Sequence, residues 1–144
     1  NDANAWISPW PGILGGPADC NTQAGTVISC TNGVQHNLSN GETTVTVKVV
    51  GKGGRNQELV LAALNSLKKD ELILAFNTDG LDNTDHAGAL GDMTTKEKAV
   101  KLNLNPDKFL NENHSYEFFE RTGDYLETGY TGSNVADLII AIKR

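Results

Sequence analysis

The chain has 144 residues, 38% of them hydrophobic and 21% charged, which suits one globular domain with a single core and leaves little room for a second. A formal charge of −6 and a pI near 4.9 repel a phosphate backbone, and the 12 basic residues are scattered, so nucleic acid is excluded as a partner. The longest apolar run, Leu138 to Ile142, is too short to span a bilayer and no signal-peptide pattern opens the chain; the expectation is a soluble, cytoplasmic protein with no membrane partner. Because the sequence opens on Asn1 without a methionine, a processed product or a piece of a longer protein is expected. Cys20 and Cys30 allow one bridge, which spacing leaves open, and no Cys/His array has zinc-ligand spacing.

Taken in chain order, residues 1–36 are irregular and rich in proline and glycine, reading as turns and short extended pieces, with Trp6 and Trp10 placed to pack the segment onto a core or a neighbouring surface. Thr43, Val45, Val47 and Val49 alternate with Thr44, Thr46 and Lys48, which predicts a strand over 43–50. Gly51-Lys52-Gly53-Gly54 breaks that strand. Val60, Ala63, Leu64 and Leu67 then share a helical face, predicting a helix from Asn56 to Lys69. Leu72–Phe76 has the length and composition of a buried strand, and a loop rich in Asp, Asn and Gly follows from Asp79 to Asp92. Thr94 and Glu97 form a capping box for a helix to about Leu102, Asn105-Pro106 starts a short helix through Leu110, and Ser115 caps a third that encloses Phe118 and Phe119 and ends at Gly123. Leu138–Ile142, continuously apolar, suits a strand buried on both faces. Strands alternating with helices predict an α/β domain with a mixed, mostly parallel sheet and flanking helices. There is no internal repeat.

Three loops carry residues able to do chemistry. Gly51 to Glu58 lies between a strand and a helix start; its glycines admit a ligand close to the backbone, its first-turn N–H groups point outward, and Arg55 can fork a carboxylate or phosphate, so the stretch reads either as an anion cradle or as a tight turn with a solvated arginine. Asn77 to Asp85 follows a strand and holds Asp79, Asp82 and Asp85, hard oxygens suited to a magnesium ion or a base, or else to turn formation. Thr128 to Asn134 precedes the last strand, and its glycines and hydroxyls could wrap a phosphate or nucleotide. These loops are expected to converge on one edge of the sheet, with Arg55 and Asp79 in a shared site. An Arg55→Lys change is expected to weaken ligand recognition while leaving stability almost unchanged.

The runs Gly41-Glu42-Thr43-Thr44-Val45-Thr46-Val47, Gly53-Gly54-Arg55-Asn56-Gln57-Glu58, Thr78-Asp79-Gly80-Leu81-Asp82 with Thr84-Asp85 and Ala87-Gly88-Ala89, Ser115-Tyr116 with Phe118-Phe119, and Thr128-Gly129 with Thr131 to Val135 and Asp137-Leu138 together closely resemble the MOFRL domain. That domain is the C-terminal part of class II glycerate 2-kinases, whose relatives are often labelled hydroxypyruvate reductases, and the resemblance spans about residues 38–142 of a domain taken as 37–144. It implies a Rossmann-like C-terminal domain closing a cleft against an N-terminal Rossmann-like domain of the same enzyme, with ATP, Mg2+ and a glycerate-like substrate between them. It implies Arg55, Asp79 and Glu42 as catalytic residues and Gly53, Gly54, Asn56, Thr78, Gly80, Thr131, Gly132 and Asn134 as substrate or phosphate ligands. Asp79 and Asp82 are implied for metal.

Four departures from the family pattern stand out. Asn40 precedes Gly41 where the family has a second glycine. Asp82 to Asp85 replaces a proline-containing run. Residues 1–36 do not match, and the N-terminal domain that supplies a catalytic lysine is absent from this sequence. The leading expectation is therefore part of an ATP-dependent glycerate kinase; the alternative is a stand-alone nucleotide- or anion-binding module without turnover. A dehydrogenase is disfavoured because no dinucleotide fingerprint is present.

Overall fold

The computed structural model describes residues 27–31, 34–40 and 50–143. Strands β1 (Val27–Thr31), β2 (Val34–Asn40), β3 (Glu71–Asn77), β4 (Gly88–Gly91), β5 (Tyr125–Leu126) and β6 (Asp137–Lys143) form one sheet in the order β1-β2-β6-β3-β4-β5. Helices α1 (Arg55–Leu64), α2 (Met93–Lys101), α3 (Pro106–Asn111) and α4 (Ser115–Thr122) complete the described elements. The strand expected at 43–50, the side chains of Cys20 and Cys30, and the tryptophans lie outside the described residues.

The expectation of a mostly parallel sheet is overturned, because every described strand pairing is antiparallel. Parallel neighbours need a crossover of a dozen or more residues, usually a helix. Here β3 passes to β4 through a ten-residue link with no helix, and β6 runs between β2 and β3 opposite to both. The stretch expected to be irregular contributes the short hairpin β1–β2.

Residues of β3 alternate between buried and half-buried. Ile73 and Ala75 face the helices, packing with Val60, Leu61, Leu64, Ala89, Phe118, Phe119 and Ala141. Phe118 stacks edge-on to Phe119 at 5.2 Å between ring centroids, a favoured aromatic geometry. The other face carries Leu72, Leu74 and Phe76, set opposite Ile142, Ile140 and Leu138 on β6. These side chains are half-buried, so β6 is not buried on both faces as its continuous apolar run suggested.

Other boundaries differ for local reasons. α1 stops at Leu64, and Ser66 and Leu67 bond back to the carbonyls of Ala63 and Leu64 in a tightened last turn; Leu67 still reaches the core. The α2 capping box uses Asp92 and Thr95, with the Asp92 carboxylate accepting from the Thr95 N–H at 2.9 Å. Thr94 and Glu97, both exposed, take no part in it. α3 starts as expected, the Asn105 side chain accepting from the Asp107 N–H and Pro106 standing at the first helical position. Ser115 sits inside α4 and does not cap it, and Gly123 closes that helix at φ 74°. β4, a Gly-Ala-Leu-Gly strand with little intrinsic strand preference, is held by its pairing with β3.

Candidate functional site

Antiparallel β3 and β6 place the end of one beside the start of the other, with Asn77 opposite Asp137. The loop leaving β3 and the loop entering β6 are sewn together there. The Thr78 hydroxyl accepts from the N–H groups of Val135 and Ala136 and donates to the Ala136 carbonyl. The Thr131 hydroxyl donates to the Thr78 carbonyl at 2.6 Å, while the Thr131 N–H donates to the Asp79 carbonyl at 2.9 Å. Gly80 has φ +88°, and a methyl group placed on it would lie 1.9 Å from the Gly129 carbonyl oxygen, so only glycine lets the two loops touch.

The glycine loop joins the same edge through Asn83, whose side-chain amide donates to the Gly53 carbonyl at 3.1 Å. Arg55, the first residue of α1, donates from Nε to Asp137 Oδ2 at 2.5 Å and from Nη2 to Oδ1 at 3.0 Å. The Asp137 side chain is fully buried and that of Arg55 is 32% exposed. Loops 51–54, 77–85 and 128–136 therefore meet at one sheet edge.

Asp82 has a different job from the expected one. Its side chain, 1% exposed, accepts from the backbone N–H groups of Asn56 (3.1 Å) and Gln57 (2.9 Å) and from both their side-chain amides. The carboxylate thus occupies the positive N-terminus of α1, where a bound phosphate was expected. Gly54 is glycine for the same reason: a methyl group there would lie 1.8 Å from the Asp82 carbonyl oxygen. Asn56 is fully buried and turned toward Asp82, so the α1 N-terminus is an internal carboxylate seat and not an open cradle. Burial pushes the Asp82 carboxyl above the ordinary range while these donors pull the other way.

Asp82 so engaged does not fit a metal ligand, and among the described residues no group of three or more His, Cys, Asp or Glu could hold a metal ion. Asp79 is half-buried, its Oδ1 accepting from the Leu81 N–H at 2.8 Å. Thr131, Gly132 and Asn134 are exposed, Gly53 is half-buried against the Ser115 hydroxyl, and Glu42 lies outside the described residues.

Neither Asp137 nor the column beside the glycine loop is among the site residues expected from the sequence. In that column the Lys52 ammonium sits 3.3 Å from the Tyr116 ring centre, and His86 stacks between Tyr116 (4.2 Å) and Tyr125 (4.1 Å). Burial holds the His86 imidazole below its usual pKa. The exposed Asp85 carboxyl lies below the usual range through its own backbone N–H, the Tyr116 hydroxyl and Lys52. Glu58, buried behind the loop, is pushed up by burial against opposing bonds from Ser115 and Asn113. A single charged residue heading an apolar strand was the sequence signal for Asp137; the column leaves none, since its members are 73 residues apart from Lys52 to Tyr125.

The chain is thus an α/β domain whose loops are sewn together at one sheet edge around the Arg55–Asp137 pair. The MOFRL family model matches residues 35–137, and the chain belongs to that family. It is 47% identical over 105 residues to the glycerate 2-kinase of Pyrococcus horikoshii, which covers 71% of this chain and 24% of the relative. It is 43% identical over 105 residues to the D-glycerate 2-kinase of Thermotoga maritima, covering 71% and 25%. The crystal structure of a Thermotoga maritima glycerate kinase superimposes with a TM-score of 0.73 at 39% identity, over 76% of this chain and 27% of that one. The chain spans about a quarter of the length of these relatives. No described helix is long and apolar enough to cross a membrane.

Proposed function

We propose that this chain is the substrate-site portion of a glycerate kinase, one that transfers a phosphoryl group from ATP to a hydroxyl of D-glycerate. The observation that carries the reading is the half-buried Arg55 guanidinium, fixed where the three loops meet. Phosphoryl transfer is catalysed mainly by positioning and charge stabilisation. In this reading Arg55 draws in the glycerate carboxylate or a phosphate, and Asp79 orients the attacking hydroxyl or takes its proton. The backbone of Gly80, Thr131 and Gly132, with Thr78 and Asn134, is assigned to the substrate or phosphate, while Gly53, Gly54 and Asn56 act by shaping the loop. Glu42, outside the described residues, is assigned a catalytic acidic role as the resemblance implies.

Among the described residues no group of three or more His, Cys, Asp or Glu could hold a magnesium ion, so Asp79 is assigned to the substrate hydroxyl alone. An N-terminal domain, as in the longer relatives, completes the clamp, so the chain alone is expected to bind without appreciable turnover. Calorimetry with D-glycerate and with ATP tests binding, and a coupled ADP-release assay tests turnover. Failure of both ligands to bind overturns the proposal; binding that persists unchanged in an Asp79→Asn, Arg55→Ala double variant removes these residues from the site.

A further inference from the structure

We propose that Asp137 is the positioning residue of this site, fixing the plane and reach of the Arg55 guanidinium. The inference rests on the reading of Arg55 as the group that meets the substrate's anionic end. Asp137 is fully buried, and a buried carboxylate is stable only when paired and hydrogen-bonded. Two parallel N–H···O bonds on one edge of the guanidinium remove its freedom to rotate, which a single contact would leave.

Both ends of the pair are immobilised by separate devices. Arg55 opens α1, whose next two residues are held by Asp82. Asp137 opens β6 opposite Asn77, directly after the two residues whose N–H groups the Thr78 hydroxyl takes. With both backbones held, the fork leaves the guanidinium one orientation. The arrangement is that of a cation whose direction matters.

The test uses the full chain labelled with 15N in its arginines, comparing wild type with Asp137→Asn and with Asp137→Glu, which keeps the charge but moves it by one methylene. In the wild type the Arg55 Nε–H is expected to exchange slowly with water, and added D-glycerate, or inorganic pyrophosphate as a second probe, is expected to shift its signal. Asp137→Asn is expected to speed that exchange about tenfold or more. In Asp137→Glu, if the thermal midpoint stays near the wild-type value, probe affinity is expected to fall about tenfold, the loss of roughly one charge-assisted bond. Unchanged Arg55 exchange in Asp137→Asn, or wild-type affinity in a folded Asp137→Glu, would overturn the inference. A wild type that binds neither probe defeats the functional reading, and Arg55 exchange still decides whether Asp137 holds the arginine.

Discussion

Asp82→Ala should unseat α1. The carboxylate accepts from two backbone N–H groups and two side-chain amides, on residues that are fully buried. A buried donor left without a partner costs about 1–3 kcal/mol, so the two backbone N–H groups alone set a loss of roughly 2–6 kcal/mol. Relief from holding a buried carboxylate, whose pKa burial raises, works against this, as does water reaching the cavity. N-cap substitutions, which orphan one such donor, cost about 0.5–2 kcal/mol. Together these give an expected destabilisation of about 2–4 kcal/mol, or roughly 8–16 °C in Tm at about 4 °C per kcal/mol for a chain of this length. Urea denaturation followed by far-ultraviolet circular dichroism measures it, with Asp82→Asn as the near-isosteric control that keeps one accepting oxygen and loses less. A surface carboxylate reserved for a metal predicts a change within about 0.5 kcal/mol. That result in Asp82→Ala would refute the seat.

Arg55→Lys loses the forked geometry on a buried partner, so about 1–3 kcal/mol of stability is expected to go after allowance for the exposed part of the arginine. This replaces the sequence-based expectation of unchanged stability, and a wild-type urea midpoint in Arg55→Lys would contradict it. Burial lowers the folded-state pKa of His86, so its contribution to stability is fully present above about 6.5 and is lost as pH falls through the folded value. His86→Phe, which keeps the stack with Tyr116 and Tyr125, is expected to flatten the fall in thermal midpoint below pH 6.5, and an identical pH profile in the two proteins would count against it. Gly80→Ala forces a positive φ on alanine and a methyl group against the Gly129 carbonyl oxygen. A loss of roughly 1–3 kcal/mol is expected, together with faster amide exchange at Thr131, whose N–H bonds Asp79 across the loop contact; unchanged exchange would show that the contact is not tight.

Local signals were legible wherever one residue decides the matter: Pro106 after Asn105 opens α3, Gly123 closes α4, and the apolar run after Glu71 makes β3. Strand direction was not, because alternation of strand and helix says nothing about a strand such as β6 that returns between two earlier ones. The expected meeting of the loops nonetheless depends on that unread direction. In a parallel pair, the loop leaving β3 and the loop entering β6 would lie at opposite ends of the sheet. Arg55 was legible as a forking cation, but its partner Asp137 lies 82 positions away. Asp82 looked like a metal ligand because short-range spacing cannot distinguish a carboxylate aimed at solvent from one turned under a helix 25 residues earlier.

The β3–β6 ladder carries both the core pair Ile73 and Ala141 and the site pair Asn77 and Asp137. A slip of one residue between these strands would exchange the faces of every side chain on β6, sending Asp137 away from Arg55 and Ala141 out of the core in the same movement. A slip of two would restore the faces but carry Asp137 about 6–7 Å along the strand, beyond the guanidinium. Correct chemistry and correct packing are thus one alignment in this domain, and a chain that buries Ala141 beside Ile73 has already delivered Asp137 to Arg55.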